Sequence, residues 1–457
     1  MTRRGRHFEV MVIGAGLSGL AAASFLADEG VRVGVIAKGG GFLHFTSGCV
    51  DVLGHMSDGE PVSDVPAAID DLIARTPSHP YALSGKAHLL EGLRRFQAMM
   101  TDAGNPFAGD AQSNLTLPTA IGSTRTTCLA PTTMAAGSMD ESSPMLIVGF
   151  RGFRDFYPPY LAANLRRHSS FPVRHLYLDL PRFQHRHHLL SLDVARQLDD
   201  PATREEIARC VKANLGDAGR VGFPAVLGLD HHDDCFRDLA KRIGRPVFEI
   251  PTLPPSVPGI RIDRALRQSL MKRGARVEIG FWVQGRLDGN RAGEIAVDSA
   301  GGATTYTADA FILATGGTGG GGIMARQDGS LRESVFGLPV QGPADRSSWY
   351  HQRFLGPDPQ PISLTGVTVN EHLQPFVDSG GALENVFVTA SNLPHWDPVH
   401  EGSGEGVALA TAHKAAAEVM SRLGASSSRS APSARGQGSE GATKEHISAG
   451  RVRRLES

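Results

Sequence analysis

The sequence predicts an α/β fold: a Rossmann-like nucleotide-binding domain whose chain leaves the sheet, builds an inserted second domain and returns. Three observations carry this. The stretch Val10-Met-Val-Ile-Gly14-Ala-Gly16-Leu-Ser-Gly19-Leu-Ala-Ala-Ala is a short apolar run feeding a G-x-G-x-x-G turn and a small-residue helix. A second apolar run, Val31-Arg-Val-Gly-Val-Ile-Ala37, follows at βαβ distance. Far down the chain, Ala310-Phe-Ile-Leu-Ala-Thr315-Gly316-Gly317 is another buried-strand pattern, ending in small and hydroxyl residues.

The first glycine turn has a physical rationale at each position. Gly14 allows the tight turn, Gly16 lets backbone N–H groups approach an anionic phosphate, and Gly19 lets the helix pack on the strand. The helix N-terminus adds the positive end of a dipole. About twenty residues after such glycines a dinucleotide site places an acidic residue on the adenosine ribose. Here that position reads Ala37-Lys38-Gly39, while Asp28 and Glu29 fall too early, in the turn before the strand. Two readings stay open: an adenine dinucleotide held without its usual ribose anchor, or a mononucleotide with one phosphate on the helix end. In either case Lys38 is a candidate contact. The following loop, Gly39-Gly-Gly-Phe-Leu-His44-Phe-Thr46-Ser47-Gly48, offers Thr46 and Ser47 to a polar ring or phosphate.

Composition narrows the function classes. A chain of 457 residues has room for two or three packed domains without covalent staples. Its four cysteines, Cys49, Cys128, Cys210 and Cys235, are scattered, with no zinc or iron–sulfur spacing, so no metal site is expected and a reducing compartment suits them. With 46 Lys+Arg against 47 Asp+Glu, the net charge of −1 generates no field to attract nucleic acid or an anionic membrane. Arg3-Arg4-Gly-Arg6 before an apolar run imitates a signal peptide, but Glu9 interrupts it, and the run reads as the first strand. No run approaches the roughly 20 apolar residues of a membrane span.

Four segments follow from the patterning. Residues 1–60 are the first part of the nucleotide-binding domain. Residues 61–250 read as an inserted domain for substrate or partner: helical periodicity near 85–101, a Ser/Thr/Gly-rich loop over 110–143, a buried strand at Met145-Leu-Ile-Val-Gly-Phe, a helix within 155–167 and an apolar strand from Val221. Residues 251–424 return to the first domain. They comprise a Pro-rich turn at 251–259, a helix over 260–273, and strand-like runs at 276–283, 294–297 and 304–306 ahead of the Ala314-Thr-Gly-Gly strand end. That succession is how flavoproteins bring the chain back to the nucleotide-binding sheet. It places the fold in the two-dinucleotide-binding-domain flavoprotein class. The strand Leu383-Glu-Asn-Val-Phe-Val-Thr-Ala-Ser391-Asn392 and the helix start Gly402-Ser-Gly404-Glu-Gly406 complete it; Asn392 and Gly404 are candidate cofactor contacts, with Ser391-Asn392 standing where Gly-Asp is usual. Residues 425–457 are polar and low in complexity and are expected to be disordered.

The Gly14 turn, Leu43-His-Phe-Thr-Ser-Gly-Cys-Val-Asp51, Thr252-Leu-Pro-Pro-Ser-Val-Pro-Gly-Ile-Arg-Ile262 and Gly366-Val-Thr-Val occur in order. With them the chain resembles the B-subunit family of anaerobic glycerol-3-phosphate dehydrogenase, up to about residue 422. The resemblance implies a flavin-carrying respiratory protein associated with FMN, which agrees with the missing ribose carboxylate; FAD is the alternative. It implies oxidation of sn-glycerol 3-phosphate to dihydroxyacetone phosphate, in company with two partners, the catalytic A subunit and the iron–sulfur C subunit. The iron–sulfur partner would anchor the complex to the cytoplasmic face of the inner membrane and pass electrons to quinone, ultimately to fumarate or nitrate. Two other readings are a stand-alone FAD oxidoreductase of the fumarate-reductase type and a non-catalytic relay or scaffold subunit.

For that chemistry Arg261, Arg326 and Arg332 are the candidates for the substrate phosphate, because a planar guanidinium matches its oxygens. His44 and His400 are candidate proton acceptors near the flavin. The cluster His185-Arg-His187-His188 and the run His231-His232-Asp233-Asp234 look like metal sites but read as solvated surface. Gly317 to Gly322 could cradle a phosphate through backbone N–H groups.

Overall fold

The computed structural model describes residues 3–56, 59–180, 188–299, 302–354 and 356–430. His185 and His187 of the histidine cluster lie outside these residues, as does the tail beyond Ser430. The main sheet contains seven strands. Arg276–Ile279, Val33–Ala37, Arg3–Ile13 and Gly302–Leu313 run parallel, and Val386–Val388 adds a further parallel strand beside the end of Gly302–Leu313. Arg291–Ser299 and Val283–Asp288 extend the other half of Gly302–Leu313 as an antiparallel meander.

The chemistry of the opening strand explains its central place. Val10, Met11, Val12 and Ile13 are all buried, the continuous apolar run expected of a strand covered on both faces. On one face lies the helix Leu17–Asp28, in which Ala21, Ala22 and Ala23 are wholly buried. Their lack of bulk brings the final helix, Gly404–Ser430, close alongside. The runs expected at 304–306 and 310–313 are one strand, Gly302–Leu313. The threonines at its start face an antiparallel neighbour and its apolar end lies between two parallel ones.

A second sheet lies within the middle of the chain. Val247–Ile250, Arg220–Pro224, Met145–Phe150 and Val173–Leu178 are all parallel in that order, over a separate core that includes Phe150, Phe223 and Phe248. The Ser/Thr/Gly-rich stretch expected as a loop contains a hairpin, Leu115–Pro118 with Thr124–Thr127. Its later part is held by Arg220, which is wholly buried and donates to the carbonyls of Ala136, Ser138 and Glu141.

The structure differs from the sequence reading at several places. The Pro-rich turn ends earlier, because Ser256 Oγ accepts the Gly259 N–H at 3.0 Å and caps a helix spanning Val257–Lys272, with Pro258 in its first turn. The final helix continues through Ser430, past the expected start of disorder at 425. Of the run His231–Asp234, His231 and Asp234 are exposed as expected, but His232 opens the helix His232–Ile243 with 9% of its area exposed, and burial pushes its imidazole down to about 4.

Candidate flavin site

The carboxyl ends of Arg3–Ile13, Val33–Ala37 and Gly302–Leu313 open into a cavity of about 860 Å³, where open α/β sheets place their ligands. The glycine turn forms one wall. Gly14 has a φ of +120°, and a Cβ there would lie 2.0 Å from the Ala314 carbonyl oxygen, so the crossing of the two strand ends demands glycine. A Cβ on Gly19 would lie 2.1 Å from the Gly14 carbonyl oxygen, which explains why the helix sits so near the strand. Gly16, the N-cap, differs: a Cβ there meets only Gly41 Cα, at 3.9 Å, so the space in front of it is open to the cavity.

One side chain shows what that space is suited to receive. Ser18, in the first turn of the helix, lines the cavity at 6% exposure, and its Oγ is buried without a hydrogen-bond partner among the described residues. A buried hydroxyl without a partner is costly. Beside the open N–H groups of a helix start, it fits the phosphate of a nucleotide cofactor.

The structure brings most of the expected cofactor residues to this cavity and sets others behind it. Gly14, Gly16, Lys38, Thr46, Thr315, Gly316 and Gly404 line it. Gly19, Ser47 and Asn392 do not. Ser47 Oγ accepts the Cys49 N–H at 3.2 Å. Asn392 is wholly buried; its Oδ1 accepts from Thr315 Oγ1 at 3.1 Å and from the Gly317 N–H at 2.9 Å, and its Nδ2 donates to the Leu313 carbonyl. It therefore braces the Thr315 turn, and Ser391 takes the place at the wall. The glycines after that turn form a short helix, Gly317–Gly320, of which Gly319 and Gly320 line the cavity.

At the position of the absent ribose carboxylate, the Lys38 ammonium lies 4.4 Å from the centre of the Trp282 ring, a cation–π contact at the cavity wall. Sequence reasoning missed Trp282, which becomes a wall residue only because Arg276–Ile279 is laid beside Val33–Ala37.

The expected proton acceptors and phosphate ligands are placed elsewhere. His44 Nε2 is 3.3 Å from Asp263 Oδ2, and the side chain is not part of the cavity wall. His400 is held between Asp397 and the Gly356 carbonyl, which its Nε2 meets at 2.9 Å. That carbonyl raises its pKa, burial opposes the rise and Asp397 adds to it; only its neighbours Pro398 and Val399 line the cavity. Arg261 is corrected most clearly. It is 4% exposed, bonded to Glu249 at 2.8 Å and to the Gly228 carbonyl at 2.6 Å, so its charge is spent in the core. Arg332 pairs with Asp378 at 2.8 Å, and Arg326 is exposed on the same hairpin, Ile323–Ala325 with Leu331–Glu333.

Sequence reasoning also missed Glu405, which lines the cavity in the first turn of the final helix. Its Oε2 accepts the Asp51 N–H at 3.4 Å, and Asp51 in turn is paired with Arg125. Burial first, and then the charge of Asp51, push the Glu405 carboxyl up to about 7, with Arg125 opposing. An acid at a helix start is ordinarily read as a partner for the dipole, and nothing in the local sequence shows Asp51 behind it.

Fold and cavity define a flavoprotein of the oxidoreductase type, and residues 9–390 match the family described as FAD binding domain. More narrowly, the chain belongs to the B-subunit family of anaerobic glycerol-3-phosphate dehydrogenase. It is 32% identical to that subunit of Pectobacterium atrosepticum over 425 residues, covering 91% of this chain and 99% of the relative. It is 30% identical to that of Actinobacillus pleuropneumoniae serotype 5b, covering 90% and 99%. Among solved structures, 3-ketosteroid Δ1-dehydrogenase from Sterolibacterium denitrificans aligns at 12% identity and a TM-score of 0.42, over 91% of this chain and all of that one. That likeness is too loose to bear on substrate. The family match supports a flavin and gives the expectation of FMN no support. No helix among the described residues is long and apolar enough to cross a membrane.

Proposed function

We propose that this chain is the flavin-carrying subunit of a glycerol-3-phosphate dehydrogenase that oxidises sn-glycerol 3-phosphate to dihydroxyacetone phosphate and passes the electrons to quinone. The observation that carries this reading is the cavity built from the glycine turn, the Thr315 turn and the final helix. It occurs in a chain aligned almost end to end with relatives of that name. The cofactor of this reading is FAD. Its support is the family match and the size of the cavity, about 860 Å³, toward the upper end of the roughly 300–1,000 Å³ usual for ligand sites.

The chain's own residues would act as follows. The N–H groups after Gly16 and the Ser18 hydroxyl hold a phosphate; Lys38 and Trp282 close one end of the cavity. Asn392 fixes the Thr315–Gly317 turn, so that this wall is set before the ligand arrives. Leu17, Phe42, Leu43 and Val335 supply apolar walls that exclude water. A bound flavin supplies acceptance of a hydride. The sequence carries no cluster motif of its own, so the electrons leave through partners: the catalytic A subunit, and an iron–sulfur C subunit that tethers the complex to the cytoplasmic face of the inner membrane.

One observation favours a second reading, an electron-relay subunit whose partner performs the hydride transfer. None of the three candidate arginines reaches the cavity, and Lys38 is the only Lys or Arg among the described residues that line it. A single experiment separates the two. The chain is purified alone, its cofactor is released by acid and identified by mass, and the intact protein is mixed with glycerol 3-phosphate without oxygen. Bleaching of bound FAD supports turnover in this chain. FAD that stays oxidised until the catalytic partner is added supports the relay, and a protein that takes up no flavin refutes both.

A further inference from the structure

A cluster of charge lies against the cavity that the proposed function does not use. Glu405 lines the cavity; behind it, Asp51 Oδ2 is bonded to Arg125 while Asp51 Oδ1 is buried and has no hydrogen-bond partner among the described residues. The Gly406 N–H donates to the Asp51 carbonyl at 2.9 Å and locks the two residues together. The Arg125 guanidinium is paired with Asp51 and reaches Glu405 only as a charge acting through space, so it neutralises one of the two carboxyl groups.

The groups on neighbouring elements do not supply the missing proton. The Cys49 thiol, close to Arg125 and Asp51, is pushed up to about 11 by burial. The Tyr81 phenol, bonded to the Val52 carbonyl, is held well above its ordinary value by burial and by Glu401. Glu401 is taken up by His79 Nε2 at 3.2 Å and by the Ser403 hydroxyl at 2.7 Å. This leaves Glu405 as the carboxyl that faces both the cluster and the cavity.

We propose that Glu405 takes up the proton that accompanies reduction of a flavin in this cavity, with Asp51 and Arg125 as its positioning residues. The inference rests on the flavin reading above. Reduction by an alcohol moves a hydride from carbon to the flavin, which gains one negative charge, and the hydroxyl proton goes to the Glu405 carboxylate, which loses one. Atoms and charge balance without a further reactant. Where the electrons arrive singly from a partner, two electrons enter, one proton goes to the flavin and one to Glu405. The physical drive is the same in both cases: a new negative charge beside Glu405 raises its proton affinity in a site that Asp51 already makes unfavourable for a second anion.

The test is the midpoint potential of the full flavin-loaded chain as a function of pH, in the native protein and in Glu405→Gln. Each proton coupled to a two-electron step contributes about 30 mV per pH unit. Above about pH 7, where oxidised Glu405 is ionised, the native slope is expected to exceed that of Glu405→Gln by about 30 mV per pH unit. Proton release or uptake followed with an indicator dye during reduction gives the same count independently. Asp51→Asn keeps Glu405 and removes the neighbouring charge, so the steep region is expected to begin at lower pH. It serves as the second variant if Glu405→Gln does not fold. Parallel slopes in native and variant proteins that both hold flavin overturn this inference alone. A chain that binds no flavin overturns both it and the reading on which it rests.

Discussion

Replacing Ser18 by alanine separates a ligand contact from a packing contact, because the two give effects of opposite sign. Without ligand the Ser18 hydroxyl is buried and unpartnered, a state that costs about 1–3 kcal/mol. Alanine removes the hydroxyl and leaves the methylene packing, so the ligand-free variant is expected to be the more stable, by on the order of 1 kcal/mol. With a cofactor phosphate present the hydroxyl gains a hydrogen bond to a charged group, worth about 1.5–3 kcal/mol. At about 1.4 kcal/mol per tenfold, Ser18→Ala should weaken flavin binding by roughly 10- to 100-fold. Flavin fluorescence titration at fixed ionic strength measures the second effect and calorimetric melting of the ligand-free chain the first. Ser24→Ala is the control on the same helix: its hydroxyl already donates to the Leu20 carbonyl at 2.8 Å and faces no cavity. Equal flavin affinity in native and Ser18→Ala proteins would refute the placement of a phosphate at this helix start. So would a variant that binds weakly and also melts lower.

Further outcomes follow from other parts of the molecule. Gly14→Ala places a methyl 2.0 Å from the Ala314 carbonyl oxygen and is expected to yield protein without flavin, read from its absorbance. Arg261→Met leaves Glu249 buried and unpaired, so stability should fall by about 3–5 kcal/mol in denaturant titration, with the Michaelis constant for glycerol 3-phosphate unchanged. Burial raises the Glu249 carboxyl, but Arg261, the Leu227 N–H and Thr133 outweigh it and hold it below its ordinary value. Its contribution is therefore present above the unfolded value and lost as pH falls through the folded one. His232 acts in the same direction, over a higher pH window. With its folded value lowered to about 4, the unfolded chain binds its proton first as pH falls from about 6.5. Melting temperature should decline across that window, by an equivalent of roughly 3 kcal/mol, and His232→Phe should flatten the decline.

What was legible in the sequence was local. Gly14, Gly16 and Gly19 are diagnostic because their requirements arise within one turn, and Thr315-Gly316-Gly317 follows a strand whose apolar run is unbroken. Met145–Phe150 was bounded correctly for the same reason. The illegible part depended on partners that only the fold brings together. Arg261 looked available because it sits on a helix and Glu249, which neutralises it, in the preceding strand Val247–Ile250, and the sequence does not show that the two side chains meet. His44 and His400 looked catalytic because the sequence does not show that Asp263 and Gly356 hold them outside the wall. Ser18 and Glu405 drew no notice because a serine and a glutamate in a first helical turn are ordinary; the empty space before one and Asp51 behind the other are products of the fold.

The pairing of Arg3–Ile13 with Gly302–Leu313 has a consequence for synthesis. At about 5–20 residues per second, a ribosome that has made Ile13 needs roughly 15–60 s to reach Gly302. Through that interval the opening strand has Val33–Ala37 on one side and an unfilled edge on the other, while the four-stranded sheet of the middle segment can close by itself. An apolar strand with a free edge is a template for pairing with another chain. The nascent protein is therefore most exposed to misassembly before its central strand is complete, and its cavity is finished only when Gly404 emerges. Flavin uptake then reports that the two distant halves have met.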